Sequence, residues 1–579
     1  MTGAAARARA RPDAARARAA ALGVALAAGL ALWLHARHFD HVADDAYISL
    51  RYVDHWLRGE GLVFNPGERV MGFSNPGFVA LVAALGALGA PLVGAAQAVG
   101  VVASLGCVLA VALALAHRYT SALPAAVGCA WLAASGPFAL WTTAGLEGPL
   151  FALALLLAAL AAEGAAGAAK SAAGAAKGAA GAAKNAAGAA KSAAGAASGG
   201  RRAVALAAGA LGVAAVVRPE GAGYALALAA WLAFARAAVR DGDAGAPPLR
   251  AALARGLRVA WPLAAAGVLA WGAVAVAALA YYGDPLPNTY YAKSHPLSLA
   301  IVERGALFTW HYLRVHAFAP LVAVALALGV LARRPADPRL ASAALLGAFV
   351  VWYLRIGGDA LVYYRMWAWA QPLVALLLGH AVGALLAPPA GLARRALVAV
   401  AAALPLACLP NSFAGFDIAY LRTDDARIRD LGDLGRFLAA RAPDATIAAN
   451  AIGAVGFASR LPVVDMLGLT SARVARAPGK ALGVPGHESH DGAWVLDQRP
   501  DVVLVGIPRA SAAPLPIEQA FQPAFPSDLD LLADPRFRRD YAFGHVQLPD
   551  GRFVALFLYR DGALGAAVSA PSGGGAPAP

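Results

Sequence analysis

The sequence predicts a polytopic α-helical membrane protein of about eleven spanning helices with juxtamembrane helices, followed by a C-terminal α/β domain outside the bilayer. Three observations predict it. Of 579 residues, 60% are hydrophobic and only 14% charged, far too apolar for an ordinary soluble domain. The apolar residues fall in successive runs of roughly 20, the length that crosses a hydrocarbon core. The net charge of +14 is scattered in short loops between those runs. A nucleic-acid partner requires a basic stripe on a folded domain, so none is expected.

The opening "RARARPDAARARAAALGVALAAGLALWLHA" (7–36) is a basic start followed by an apolar run without a convincing cleavage site, which reads as a retained signal-anchor. Further spans are expected at 97–116, 122–141, 148–162, 203–217, 221–238, 259–281, 317–333, 340–355, 367–387 and 394–410, after a first at 19–36. The apolar stretch 76–93 is ambiguous, and charge decides it. If it does not cross, Arg118, Lys170 to Lys191, Arg201, Arg202, Arg236 to Arg258, Arg333, Arg334, Arg339, Arg394 and Arg395 all fall on the side of the N-terminal arginines. That is the cytoplasmic side by the positive-inside rule.

The chain then divides into a basic N-terminus (1–18), a membrane domain (19–410), an extracytoplasmic α/β domain (411–562) and a disordered tail (563–579). In the last domain "TDDARIRDLGDLGRFLAARAP" reads as a capped amphipathic helix, and "ATIAAN" and "DVVLVGI" as buried strands. "HVQLPDGRFVALFLYR" reads as strand–turn–strand with Asp-Gly at the turn. The cytoplasmic loop 163–202 is low-complexity, with Lys170, Lys177, Lys184 and Lys191 seven residues apart. A helix would align them on one face, toward anionic headgroups; a non-functional repeat expansion is the alternative. Cys107, Cys129 and Cys408 lie in apolar segments as packing residues.

The five outer loops hold "DDAYISLRY…FNPGERVMGFSNP", "TTAGLEGP", "RPEG", "GDPLPNTYYAKSHP" and "RIGGDALVYYRMW". Polar, aromatic, Pro/Gly-rich content of this kind exceeds what connectors need, and it suggests one composite site at the outer face. Asp44 and Asp45 open a short helix that stops at Gly59. They suit either an N-cap or a proton acceptor for an attacking hydroxyl. Arg218, Lys293 and Arg365 are cations on the side where the bias disfavours them, and together can hold a phosphate. Basic residues at a membrane edge can anchor to lipid headgroups, an explanation Glu220 lacks, and Asp359 follows two glycines that let backbone approach a ligand. The paired tyrosines at 281–282, 290–291 and 363–364 suit an interfacial belt, or sugar stacking. A divalent metal is a further candidate group, with His35, His38, His41, His487, Glu488 and His490 as its possible donors. There is no phosphate-binding glycine loop for ATP or a dinucleotide.

Taken in order, "DDAYISLRYVDHWLRGEGLVFNPGERVMGFSNP", "GLEGPLFALAL", "RPEG", "PLPNTYYAKS", "GGDALVYYR", "VVDMLGLT" and "PGHE" resemble the GT-C superfamily of polytopic glycosyltransferases. The closest likeness is to the terminal arabinofuranosyltransferases of actinobacterial cell walls and their bacterial relatives. The resemblance spans about residues 40–500 and is specific as a set. It implies a GT-C-like fold in the cytoplasmic membrane and a sugar moved from a polyprenyl-phosphate donor to a hydroxyl of a cell-envelope glycan or glycolipid. It implies Asp44 as the base, with Asp45 orienting acceptor or sugar, and Lys293, Arg218 and Arg365 cradling the departing phosphate. Glu220, Asp359, Asn75, Asn288 and Tyr291 would contact sugar or acceptor. The chain departs from the family pattern at Met71, Gly77, Phe78 and Gly148, which leaves sugar and acceptor open. The rival readings are another GT-C activity (on protein or lipopolysaccharide), a non-catalytic assembly factor on the same scaffold, and a lipid-linked sugar transporter with an external cap. The transporter reading needs ionisable residues near mid-membrane, and the spans hold few, with His380 and Arg355 the best candidates.

Overall fold

A computed structural model describes residues 3–180, 186–238, 249–333, 337–361, 363–389, 391–478, 480–562 and 564. The expected tail, Arg334 and Lys184 lie outside the described residues, apart from Leu564.

Among the described residues, eight helices are long and apolar enough to cross a membrane: Arg18–Phe39, Leu92–Arg118, Gly148–Ala172, Ala194–Val217, Arg250–Tyr282, Pro338–Ile356, Arg365–Leu385 and Leu392–Ser412. Two bent pairs bring the number to ten: Leu123–Ala134 with Gly136–Thr143, and Leu299–Val315 with Ala319–Leu331. The eleventh expected span is the Glu220–Ala237 helix, which packs against its sequence neighbours on both sides but carries Glu220 and Arg236 at its ends. The bundle is therefore polytopic and helical, as expected.

The breaks in the two bent pairs come from local chemistry; the first falls inside the expected span 122–141 and the second at the start of the expected span 317–333. The first pair bends by 63° at Ser135, whose hydroxyl caps Phe138 N–H at 3.4 Å while Pro137 withholds a donor. The second bends by 94° at Ala317 and Phe318, both left-handed (φ 49° and 56°). The Pro76–Ala87 helix has 12 residues, about 18 Å at ~1.5 Å per residue, short of a ~30 Å hydrocarbon core. That length agrees with a segment that does not cross. The Arg365–Leu385 helix is apolar on nearly every side and buried along almost its whole length, so it forms the centre of the bundle.

Arg201, Arg236 and Arg339 lie toward the ends of helices remote from Arg218, Glu220 and Arg355, and Arg339 and His380 both meet the hydroxyl of Tyr119, next to Arg118. The described parts of the Lys repeat are helical, within Gly148–Ala180 and Ala186–Val217. The three cysteines are free and buried.

The opposite end carries the α/β region. Its six strands are β1 (Ile447–Ala449), β2 (Val463–Asp465), β3 (Val502–Leu504), β4 (Ala510–Ser511), β5 (Tyr541–Gln547) and β6 (Phe553–Tyr559). The order is β2-β1-β3-β6-β4, with β5 paired to β6; β1 is parallel to both neighbours and the other pairings are antiparallel. The expected hairpin is β5–β6, turning at Gly551 with φ 87°. The amphipathic helix starts earlier than expected, at Phe416, so Thr423 and its two aspartates lie inside it and cap nothing.

This region is fastened to the Asp44–Leu57 helix. Arg51 is fully buried and donates to Phe64 O (2.7 Å), Gly456 O (2.6 Å), Leu461 O (2.7 Å) and Asn65 Oδ1 (3.1 Å). Among the described residues no carboxylate bonds to Arg51, and burial, against the fields of Asp54, Glu60 and Glu68, pushes the guanidinium down to about 10. Arg51→Ala strands several carbonyls and is expected to cost about 3 kcal/mol or more. A fall in thermal midpoint with faster proteolysis near residue 415 checks it. Arg51→Lys recovers part of the loss, because an ammonium cannot reproduce the fork.

Candidate functional site

Helix ends at the α/β side of the bundle deliver the charged side chains that hydrocarbon excludes. Asp45 lies in the first turn of the Asp44–Leu57 helix and Asn75 is the N-cap residue of Pro76–Ala87. Glu147 precedes Gly148–Ala180, Arg218 follows the helix ending at Val217, and Glu220 opens the next. Lys293 ends the Asn288–Lys293 helix, Arg365 begins the central helix, and Asp359 follows two left-handed glycines, Gly357 and Gly358 (φ 77° and 91°). These side chains line a cavity of ≈ 480 Å³, within the usual range for small-ligand sites. Residues of the α/β region, Leu469, Pro485 and Gly486, complete its wall.

Its interior is a chain of ion pairs. Arg365 forks onto Asp359 (3.1 and 3.0 Å) and reaches Asp45 at 3.3 Å. Arg218 forks onto Glu220 (3.1 and 2.8 Å), pairs with Glu147, and lies 4.5 Å over the Trp369 ring. Asn75 donates to Glu147 at 2.7 Å. Burial raises the Glu147 carboxyl, but Arg218 and Arg365 outweigh it and hold the group below the ordinary range. Burial likewise raises Asp45, and Lys293, Arg365 and His487 outweigh it, so Asp45 is ionised at neutral pH.

Four carboxylates (Asp45, Glu147, Glu220, Asp359) thus face four cations (Arg218, Lys293, Arg355, Arg365), in an uneven arrangement. The two inner arginines are bound to all four acids. Among the described residues, no ion pair joins Lys293 or Arg355 to a carboxylate; Arg355 donates only to His295 O at 3.3 Å. Arg355 is exposed and Tyr290 beside it is 53% exposed. The cavity therefore has an acid-rich interior and an open side with two cations free to take an anion.

Seven of the ten expected residues line this cavity: Asp45, Asn75, Arg218, Glu220, Lys293, Asp359 and Arg365. Three do not, and each has a physical reason. Asp44, expected as the base, accepts Gly453 N–H (2.9 Å) and Ala454 N–H (2.8 Å) from the α/β region. It therefore caps the Gly453–Ser459 helix across the interface instead of its own, and burial pushes its carboxyl up to about 6. Asn288 donates to Gly468 O (2.8 Å) and Leu469 O (3.1 Å), which fixes the Leu469 wall. Tyr291 donates to Asp284 (2.8 Å) beneath the Arg476 guanidinium. Tyr290, its neighbour, takes the lining place.

Glu147 and Arg355 are the residues that sequence reasoning missed as site members. "GLEGP" held a signal for the first, since an acid at a span edge needs a partner just as Glu220 does. Asp465 of "VVDMLGLT" is structural: it is buried and accepts N–H bonds from Leu467, Gly468 and Thr470, shaping the turn before Leu469. Among the described residues, no three His, Cys, Asp or Glu side chains converge as a metal set. The candidate histidines are engaged elsewhere: His35 with Ala133 O, His41 with Asp425, His487 stacked on Phe525 and His490 with Asp530. His38 packs on Phe413.

Residues 418–548, which fall within the α/β region and the helix leading into it, match a family model described as "Domain of unknown function (DUF8728)". No curated protein matches the chain.

Proposed function

We propose that this chain is a GT-C-like membrane glycosyltransferase. It moves a sugar, such as arabinofuranose, from a polyprenyl-phosphate donor to a hydroxyl of a cell-envelope glycan or glycolipid. The observation that carries the proposal is the cavity's lining: an ionised Asp45, three further carboxylates held by Arg218 and Arg365, and two cations, Lys293 and Arg355, that among the described residues pair with no carboxylate. The bundle's basic ends lie opposite this cavity, which supports a cytoplasmic N-terminus and a site on the extracytoplasmic face of the inner membrane. The eleven-span count, with Glu220–Ala237 included, belongs to the same reading.

In the proposed reaction the donor phosphate meets Lys293 and Arg355 on the open side, with its lipid in the bilayer. Sugar hydroxyls meet Glu220, Asp359, Glu147 and Asn75, whose oxygens accept hydrogen bonds. The acceptor oxygen attacks the anomeric carbon as its proton passes to Asp45. The bond from that carbon to the phosphate oxygen breaks, and its electron pair stays on the phosphate, where the two cations stabilise the added charge. Attack opposite the leaving group inverts the anomeric centre. Arg218 and Arg365 act here as organisers of the carboxylates, a narrower part than the phosphate cradle first expected of them.

The test is purified protein in lipid nanodiscs with a panel of polyprenyl-phosphate sugars and envelope glycans. The expected result is transfer with inversion, read by NMR of the product; retention of configuration, or donor binding that is indifferent to the phosphate, sinks the proposal. A second reading, a lipid-linked sugar transporter, has one specific support: the pair His380–Glu163 (3.2 Å), buried between spans at the end away from the cavity. Uptake into sealed vesicles without transfer would favour it.

A further inference from the structure

The loop 483–489 of the α/β region carries part of the cavity wall, and the bundle side holds it through Arg304 and through Ala292 O, which accepts from Ser489 Oγ at 2.9 Å. Arg304 lies on the Leu299–Val315 helix with its side chain 11% exposed. It does not line the cavity. Its guanidinium donates to Gly357 O (2.9 Å), Gly483 O (2.8 Å) and the Glu488 carboxylate (2.5 Å). Glu488 is fully buried, accepts Gly486 N–H at 2.7 Å and has His295 Nε2 at 3.3 Å.

What lies beyond each partner gives the contacts their meaning. Gly486 is left-handed (φ 78°), and a Cβ there would sit 3.2–3.3 Å from the Lys293 methylenes. The loop therefore packs along the side chain that bears one of the two uncommitted cations. Gly357 is two residues before Asp359, the carboxylate that Arg365 grips. One guanidinium thus fastens both the backbone beside Lys293 and the backbone leading to Asp359. The same helix presents Leu299, Leu307 and Trp310 as exposed apolar side chains and turns by 94° into the next. It carries the clasp while its other face is uncovered.

We propose that Arg304 is a positioning residue: with Glu488 it clasps loop 483–489 shut, holding Lys293 ready for an anionic headgroup and Asp359 ready for the sugar. This rests on the glycosyltransferase reading for its substrates, but the clasp itself has a readout that needs none. In Arg304→Ala, the 483–489 amides are expected to exchange hydrogen about tenfold faster or more, with the β1–β3 amides unchanged. The same variant is expected to raise the apparent KM for a polyprenyl-phosphate sugar about tenfold, with kcat changed less than about threefold. Arg304→Lys, keeping the charge and part of the bonding, should recover some of both effects. Glu488→Gln, which still accepts Gly486 N–H, should reproduce the exchange effect with the fold intact. Wild-type exchange in Arg304→Ala and Glu488→Gln overturns the clasp, and so does a fall in kcat at unchanged KM. If the wild type transfers no sugar, the glycosyltransferase reading fails by itself, and hydrogen exchange alone then decides the clasp.

Discussion

Asp45→Asn is expected to lower the proposed sugar transfer by about 10²–10⁴-fold, the range for losing a positioned general base, while Asp44→Asn is expected to keep it within a few-fold. The two residues are neighbours and both are acids, so the contrast isolates geometry from composition. Asp45 lines the cavity beside Arg365; the Asp44 oxygens are taken by Gly453 and Ala454 N–H. Donor binding by Asp45→Asn should persist, because Lys293 and Arg355 are untouched. Equal losses in both variants, or none in Asp45→Asn, would remove Asp45 from the base role.

The pH profile refines this expectation. In the free protein, Lys293 and Arg365 hold the Asp45 carboxyl below its ordinary range, so the acid limb of kcat/KM lies low. Once a phosphate neutralises the cation field, Asp45 becomes a stronger base, and the acid limb of kcat should move to higher pH. Asp44 has the opposite sign. Its folded-state carboxyl is raised to about 6, so its contribution to docking is full below the unfolded-state value and is lost as pH rises through about 6. Asp44→Asn is expected to flatten the thermal midpoint across that window.

Why the sequence could point to this pair but not choose within it follows from helix geometry. Adjacent residues on a helix point roughly 100° apart, so only one faces a given wall. Which one depends on where the helix starts and on the first turn of another helix some 410 residues along the chain. The Asn288–Lys293 helix repeats the lesson: Tyr290 and Lys293, three apart, share the cavity face, while Asn288 and Tyr291, also three apart, share the face turned to Arg476. Hydropathy made the apolar helices of the bundle legible, because bilayer thickness acts on local sequence. The break at Ser135 was not, since an apolar run reads the same bent or straight; before the bend at Phe318, no span was expected over Leu299–Val315, which carries Glu303, Arg304, His311 and Arg314. Arg304 and Glu488 were invisible as partners for another reason. Each looks like a lone charge until the α/β region folds back over the bundle.

Arg218→Met is expected to cost about 3–5 kcal/mol, the toll for stranding a buried charge by removing its partner. Glu147 has 3% of its side chain exposed and depends on Arg218, with Asn75 its other side-chain partner, while Glu220 loses its fork in the same step. The guanidinium also leaves the face of Trp369, so its packing goes with its charge. Adding Glu147→Gln removes one stranded charge while keeping an acceptor for Asn75. The double variant should therefore be more stable than Arg218→Met alone, a coupling that a double-mutant cycle reads directly. The midpoint of thermal unfolding in nanodiscs checks it. Simple additivity of the two single losses would mean that the pair is not a unit, and the acid-rich interior would then owe its order to something other than Arg218. Because this pair orders Glu147 and Glu220, two carboxylates that line the cavity, its loss should abolish sugar placement even in whatever fraction stays folded, and the restored stability of the double variant should come without restored transfer.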